Sequence, residues 1–154
     1  MSRYIFVSNW EFNVRVDKIW DELTHPEYWP EWWKYVKTAE KIKSGDKNGV
    51  GEIWRYDWSS RLPYNLCFEM ETIKINEPYY IEGLAKGDLS GSGKWLLSET
   101  SNITNVKYEW NVETNKYWMK ILSPFAASLF KWNHDEVMKA GHSGLKQYLT
   151  GKNS

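Results

Sequence analysis

The stretch VKYEWNVETNKYWMKILSPFAASLFKWNHDEVMKAGHSGLKQYL, residues 106–149, decides the architecture. Its opening alternates. Val106, Tyr108, Trp110 and Val112 share one face of an extended strand, and Lys107, Glu109, Asn111 and Glu113 share the other. The apolar set is the inner face. Ser123 then stands as a helix cap with Pro124 in the first turn. The helical pattern continues to about Leu149, roughly 39 Å at 1.5 Å per residue. At about 100° per residue, Lys131, Asp135, Lys139, His142 and Lys146 face water. Opposite them fall Ala126, Phe130, Asn133, His134, Val137, Gly141, Gly144 and Tyr148. Gly141 and Gly144 each cost about 1 kcal/mol of helix propensity. Close approach to a sheet or to other helices explains them. Trp132 lies on the polar side, suited to packing under a loop or to a partner surface.

Working outward from this block, the chain reads as a strand at 4–12, then a short helix at 16–24 with Ile19 and Leu23 four apart. His25-Pro26 ends that helix, and Pro30 opens a second short one followed by Trp32, Trp33 and Val36. Strands are expected at 36–44, 51–60, 65–76, 79–86, 93–100 and 104–114. The turn-rich breaks are GDKNGVG, SRLPYN, NEP, GDLSGSG and SNITN. The order β-α-α-β6-α implies an α+β domain. A curved antiparallel sheet of about seven strands wraps a long C-terminal helix, with an internal cavity between them.

Composition bounds the function. The 154 residues make one domain, 1–150, with a disordered tail at 151–154. One cysteine, Cys67, excludes an internal disulfide. Twenty basic and twenty acidic residues cancel and alternate, which argues against a nucleic-acid partner. MSRYIFVSNWEF reads as a strand rather than a signal peptide. No apolar run approaches the length of a spanning helix. The cytoplasm is the default compartment, and the expected state is a monomer or weak homodimer. Eleven Trp, ten Tyr and five Phe exceed what a small core holds. Cross-strand aromatic pairs take some; others line a cavity or a partner surface.

The strand patterns nominate that lining. Leu66, Phe68 and Met70 face inward, while Cys67, Glu69 and Glu71 face out; Trp54, Tyr56 and Trp58 alternate against Ile53, Arg55 and Asp57 in a strand whose pattern is ambiguous, with the aromatic set taken as inner; and Trp95 and Leu97 alternate against Lys94 and Leu96. Together with Tyr108, Trp110, Phe130, Asn133, His134 and Val137, the residues Trp54, Tyr56, Trp58, Phe68, Met70 and Trp95 are the expected ligand-binding set. His134, Tyr56 and Tyr108 are the catalytic candidates. His134 could bond a ligand carbonyl or move protons. The favoured reading is a structural histidine that bonds backbone and ties down the helix. The two tyrosines could donate to a ligand or simply form an aromatic wall.

Other motifs carry less. GDKNGVG lacks the Lys-Ser/Thr ending of a phosphate loop and precedes a strand, so it reads as a hairpin turn. One cysteine and three scattered histidines give no zinc spacing, and no metal or cofactor is expected. Ser143 sits within a helix, not in a nucleophile elbow. Glu69/Glu71 and Glu109/Glu113 are solvated outer-face charge. The cluster Tyr28, Trp29, Trp32, Trp33 and Tyr35 either plugs the cavity or forms a membrane-facing aromatic rim. No basic cluster flanks it, which argues against membrane contact.

VDKIWDELTHPEYWPEWW, RLPYNLCFEM, GDLSGSGKWLL, YEWNVETNKYWMKILSP and FKWNHDEVMKAGHSGL together resemble the polyketide cyclase/dehydrase-like proteins of the START and Bet v 1 (SRPBCC) superfamily. One departure is Val16, where that family often has a proline. The resemblance implies a helix-grip fold and binding of a hydrophobic or aromatic small molecule, lipid- or polyketide-like. It does not by itself imply a reaction. The alternatives are a metal-free cyclase/dehydratase-type enzyme and a membrane-docking lipid carrier.

Overall fold

The computed structural model of the chain describes residues 3–115 and 126–152. Strand β1 (Arg3–Phe12) leads into helix α1 (Val16–Leu23), a single 3-10 turn (Pro26–Tyr28) and helix α2 (Trp29–Trp32). Strands β2 (Val36–Lys43), β3 (Ile53–Trp58), β4 (Leu66–Asn76), β5 (Tyr80–Gly87), β6 (Leu89–Thr100) and β7 (Ile103–Thr114) follow, and helix α3 (Ala126–Lys152) closes the chain. The sheet order is β1-β7-β6-β5-β4-β3-β2 and every pairing is antiparallel. Strands β2 to β7 form a meander, and β1 crosses over to pair with the last of them. Among the described residues no helix is long and apolar enough to cross a membrane.

Alternation sets the concave face. Trp54 stands opposite Met70 and Tyr56 opposite Phe68, while Trp95 faces Tyr108 and Gly93 faces Trp110 across β6–β7. Val106 and Val112 are buried on the same face as Trp110. The outer face carries ion pairs such as Arg55–Glu69 at 3.0 Å and Lys107–Glu109 at 3.4 Å. These are exposed and contribute little, as surface pairs do.

Two expected breaks shrink. The seven residues GDLSGSG are not a loop: β5 runs to Gly87 and β6 starts at Leu89, leaving Asp88 alone between them. Gly91 and Gly93 belong to the strand because β7 crowds them: at Gly91 a Cβ would strike the Asn111 carbonyl, and at Gly93 the neighbouring rings need the space. A Cβ on Gly93 would sit 2.7 Å from Tyr108 Oη and 2.9 Å from Trp110 Cε3. SNITN likewise reduces to Ser101 and Asn102, which hold φ of 52° and 62° in a tight hairpin. In the 45–51 turn, Asp46 Oδ1 accepts from the Asn48 and Val50 amides, so that segment is a turn, as its sequence suggests.

The glycines of α3 meet α2. A Cβ on Gly141 would overlap the Trp33 ring, and one on Gly144 would overlap the Trp32 carbonyl. Trp33 Nε1 donates to the Val137 carbonyl at 2.8 Å. Sequence reading omitted the apolar residues Met138, Leu145 and Leu149, all buried beside this junction. It also placed His142 in water. Instead the ring lies 5.8 Å from Trp10 at an interplanar angle of 7°, edge-on to Phe12, with Nε2 3.0 Å from the Glu11 carbonyl oxygen. Helix α3 crosses edge strand β1 there, and the crossing covers a helix face that a simple helical wheel leaves open. The helix also runs past Leu149 to Lys152, with Thr150 Oγ1 donating to the Lys146 carbonyl at 2.9 Å. Gly151 and Lys152, expected in a disordered tail, are therefore helical. The expected Ser123–Pro124 helix start lies outside the described residues. Val16, which stands where a proline was expected, uses its amide: it donates to Glu99 Oε1 at 2.7 Å, a bond proline cannot make.

Gly144→Ala is expected to lower stability by about 1–3 kcal/mol in urea denaturation, because overpacking against the Trp32 carbonyl outweighs the gain in helix propensity. Gly151→Ala, where an added Cβ meets nothing within 4 Å, serves as the helical control and is expected to be neutral or stabilising.

Candidate ligand cavity

The concave sheet and α3 do not close on one another. Between them lies a cavity of about 800 Å³. All twelve residues of the expected lining border it: Trp54, Tyr56 and Trp58 from β3, Phe68 and Met70 from β4, Trp95 from β6, Tyr108 and Trp110 from β7, and Phe130, Asn133, His134 and Val137 from α3. The sequence reading missed Tyr4 and Phe6 of β1, Tyr64 between β3 and β4, Leu89 at the start of β6, and Met138 of α3. Tyr4 and Phe6 keep the same alternation as Trp10 and Phe12, so the signal was present in the strand. Tyr64 and Leu89 were hidden inside segments read as breaks.

The wall is a run of rings. Trp95 and Tyr108 centroids are 4.1 Å apart, Tyr108 and Trp110 5.8 Å, Trp110 and Phe68 5.7 Å, and Phe68 and Tyr56 6.2 Å. Tyr56 in turn stacks on Trp29 at 5.3 Å and 13°. Apart from the closer Trp95–Tyr108 pair, these separations fall in the range of about 4.5–7 Å where aromatic pairs attract beyond simple burial. Of the cluster near α2, Trp29, Trp32, Trp33 and Tyr35 are buried and only Tyr28 is half exposed, at 48%. They plug the interior. Buried rings have no face to offer a bilayer, so the aromatic-rim reading finds no support here.

Several buried polar atoms lack partners. Trp58 Nε1, Asn133 Oδ1 and His134 Nδ1 are buried with no hydrogen-bond partner. Asn133 Nδ2 donates to Tyr64 Oη at 3.3 Å. The backbone bond expected of a structural His134 is not made by Nδ1. The imidazole instead stacks on Phe6 at 4.6 Å and 23°. Burial pushes its pKa down to about 4, only partly opposed by the Asp135 carboxylate. That carboxylate is exposed and paired with Lys131 at 2.8 Å. Burial raises Tyr56 and Tyr108 well above the ordinary phenol value, and raises Tyr64 to about 12. At neutral pH the interior therefore holds neutral imidazole and neutral phenols. Charge gathers elsewhere on the lining, at Asp46, Lys47, Glu52, Glu71 and Glu77, around the 45–51 turn and the ends of β4.

This arrangement has counterparts among solved structures. The chain has the helix-grip fold. It superposes on the Zhui aromatase/cyclase from a Streptomyces species with a TM-score of 0.80 at 10% identity, covering 99% of this chain and 97% of that one. A START superfamily protein from Mycobacterium smegmatis gives 0.78 at 13% identity over 96% and 98% of the two chains. A major latex-like protein from Panax ginseng gives 0.65 at 12% identity over 92% and 96%. No family model and no curated protein matches the sequence. Helix-grip proteins share the layout of curved sheet around a long helix, and identities this low carry the fold alone.

The depressed His134 pKa has a consequence for stability. Unfolded, the group titrates near 6.5; folded, near 4. Between those values the unfolded chain takes up a proton that the folded chain refuses. Stability is then complete above about pH 6.5 and falls by up to about 3 kcal/mol as the pH drops toward 4. His134→Phe is expected to flatten this slope in urea denaturation between pH 7.5 and 4.5. A smaller slope of the same sign remains from His142, whose pKa burial also lowers.

Proposed function

We propose that the protein binds a small, largely apolar aromatic ligand, lipid- or polyketide-like, in the cavity between sheet and α3. The observation that carries this reading is an open volume of about 800 Å³ walled by rings in contact with one another, some stacked and some tilted. Ligand pockets typically span about 300–1,000 Å³, with apolar walls and a few placed polar groups. A core of this size left without partner atoms forfeits dispersion contacts, and a flat aromatic ligand restores them. Tyr56, Tyr108, Asn133 and His134 are the polar groups that would orient it. The solved relatives in this fold that bear the description aromatase/cyclase support a ligand of the same general kind.

Native mass spectrometry of protein isolated from cells is expected to show a bound mass, and tryptophan fluorescence to change on titration with neutral aromatic compounds. Val137→Trp, which fills the cavity from the helix side, is expected to weaken binding by about tenfold or more, equal to about 1.4 kcal/mol. Absence of both a bound mass and any fluorescence response across a lipid and polyphenol panel would sink the proposal.

A second reading is a metal-free cyclase/dehydratase-type enzyme, favoured by those aromatase/cyclase neighbours. In that case His134, Tyr56 or Tyr108 would move the protons. A proton shuttle at neutral pH works best with a pKa near the working pH, and burial moves all three groups away from it. Binding is accordingly the stronger reading. Turnover of a poly-β-ketone substrate that survives His134→Ala, Tyr56→Phe and Tyr108→Phe unchanged would remove these residues from any mechanism.

A further inference from the structure

The orphaned polar atoms around the cavity are not scattered at random. Asn133 and His134 are consecutive on α3, and both line the same end, beside Tyr4, Phe6 and Phe130. Asn133 Nδ2 is already committed to Tyr64 Oη, which leaves Oδ1 as a bare acceptor. His134 Nδ1 is also buried and unpartnered, and its ring is held in place against Phe6. Buried polar atoms without partners are rare in folded proteins and costly to leave so. Two of them on adjacent residues, next to an open volume, mark a place where a ligand supplies what the protein does not. An amide oxygen requires a donor, and an imidazole nitrogen takes a donor or an acceptor according to tautomer. A hydroxyl group meets both requirements.

The sheet side is complementary. Trp58 Nε1 has no partner and can only donate. Tyr56 and Tyr108, each with a phenol that can donate, border the same cavity. A carbonyl oxygen suits this wall. Charge supplies the third constraint. Among the described lining residues Lys47 is the lone lysine or arginine, against the carboxylates of Asp46, Glu52, Glu71 and Glu77. Lys131 lies close enough to act on His134 but is already paired with Asp135, and the carboxylates on the charged part of the lining would repel a carboxylate or phosphate head group. Burying an unpaired charge is far more costly than burying a hydrogen-bonded hydroxyl.

We propose that the Asn133–His134 pair is a hydroxyl-recognition subsite, and that the cavity selects uncharged hydroxylated aromatic carbonyl compounds over anionic lipids. This rests on the cavity-binding reading above and narrows it to a ligand class. The pair acts by recognition, and no bond is made or broken.

The test uses flavanone, hydroxyflavanones bearing a single hydroxyl at either end of the molecule, and palmitate, each titrated against the full-length protein by calorimetry. The better hydroxyflavanone is expected to bind about tenfold more tightly than flavanone, the effect of satisfying a buried orphan group. Palmitate is expected to bind more weakly than either. In Asn133→Leu and in His134→Phe, which keeps a ring against Phe6, the ratio of hydroxyflavanone to flavanone affinity is expected to fall toward one. A ratio near one in the unaltered protein, a ratio that persists in both variants, or palmitate binding as tight as that of hydroxyflavanone would each overturn the subsite. Flavanone binding with no hydroxyl preference defeats the subsite and leaves cavity binding standing. If no compound binds, the subsite falls, and the bound mass and the wider ligand panel decide separately whether the cavity reading stands. Should a variant lose its cooperative thermal transition, the unaltered protein's hydroxyl ratio and the palmitate comparison still decide.

Discussion

The indole of Trp33 lies in the notch left by Gly141, and the rest of the architecture follows from that contact. Nothing larger than a hydrogen fits at position 141 without striking the ring, or at 144 without striking the Trp32 carbonyl. The same indole donates to the Val137 carbonyl, so packing and hydrogen bonding act on the helix together. Leu145, Leu149 and Met138 bury around the junction and continue the core to Ile19 and Leu23 of α1. The C-terminal half of α3 is thereby pinned. Its N-terminal half, with Phe130, Asn133, His134 and Val137, faces the open cavity instead. A helix is stiff over this length, so tight contact at one end and open volume at the other are one geometric fact.

Keeping that volume open requires walls that do not fall inward. Flexible aliphatic chains would rotate into the space, since interiors otherwise pack to crystal-like density. Aromatic rings have few torsions, and here each ring is held by the next. Trp95, Tyr108, Trp110, Phe68, Tyr56 and Trp29 form a continuous series from the middle of the sheet to the α2 region. Moving one ring means moving its neighbours. Gly93 belongs to this device, because its missing side chain admits both Tyr108 and Trp110. The aromatic richness of the chain is thus partly structural: it builds a rigid wall as well as an apolar surface.

Much of this was legible in the sequence, for a physical reason. Strand alternation has a period of two and depends on local geometry alone, so Tyr108/Trp110 and Phe68/Met70 declare their inner face without knowledge of the fold, while Trp54/Tyr56/Trp58 alternate against Ile53, Arg55 and Asp57 in a strand whose inner face the pattern leaves open. Helical glycines opposite a charged face likewise announce a close neighbour. What was not legible depends on contacts between distant segments. His142 falls on the charged face of a helical wheel, yet β1 crosses there and covers it. The run 87–93 is rich in glycine and serine and reads as a turn, because what requires its glycines lies on other strands: the Tyr108 and Trp110 rings at Gly93, and neighbouring backbone at Gly87 and Gly91. Tyr64 sits in a proline-containing connection, and its bond to Asn133 spans 69 positions of sequence. Local patterns disclose faces; they do not disclose which faces meet.

The chemical character of the cavity follows from the same burial that forms it. Removing water disfavours every charged state, so His134 becomes a neutral imidazole and the tyrosines become reluctant acids. An enzyme that uses such groups at neutral pH needs a compensating charge to bring them back into range, as when a carboxylate orients and stabilises an imidazolium. The carboxylate nearest His134 in sequence is Asp135, which is exposed and paired with Lys131. It opposes the desolvation of His134 without overcoming it. A neutral imidazole beside a bare amide oxygen still reads hydrogen-bonding pattern well, because neither group needs to change protonation state to do so. On the binding reading proposed above, the interior discriminates among neutral molecules rather than moving protons between them.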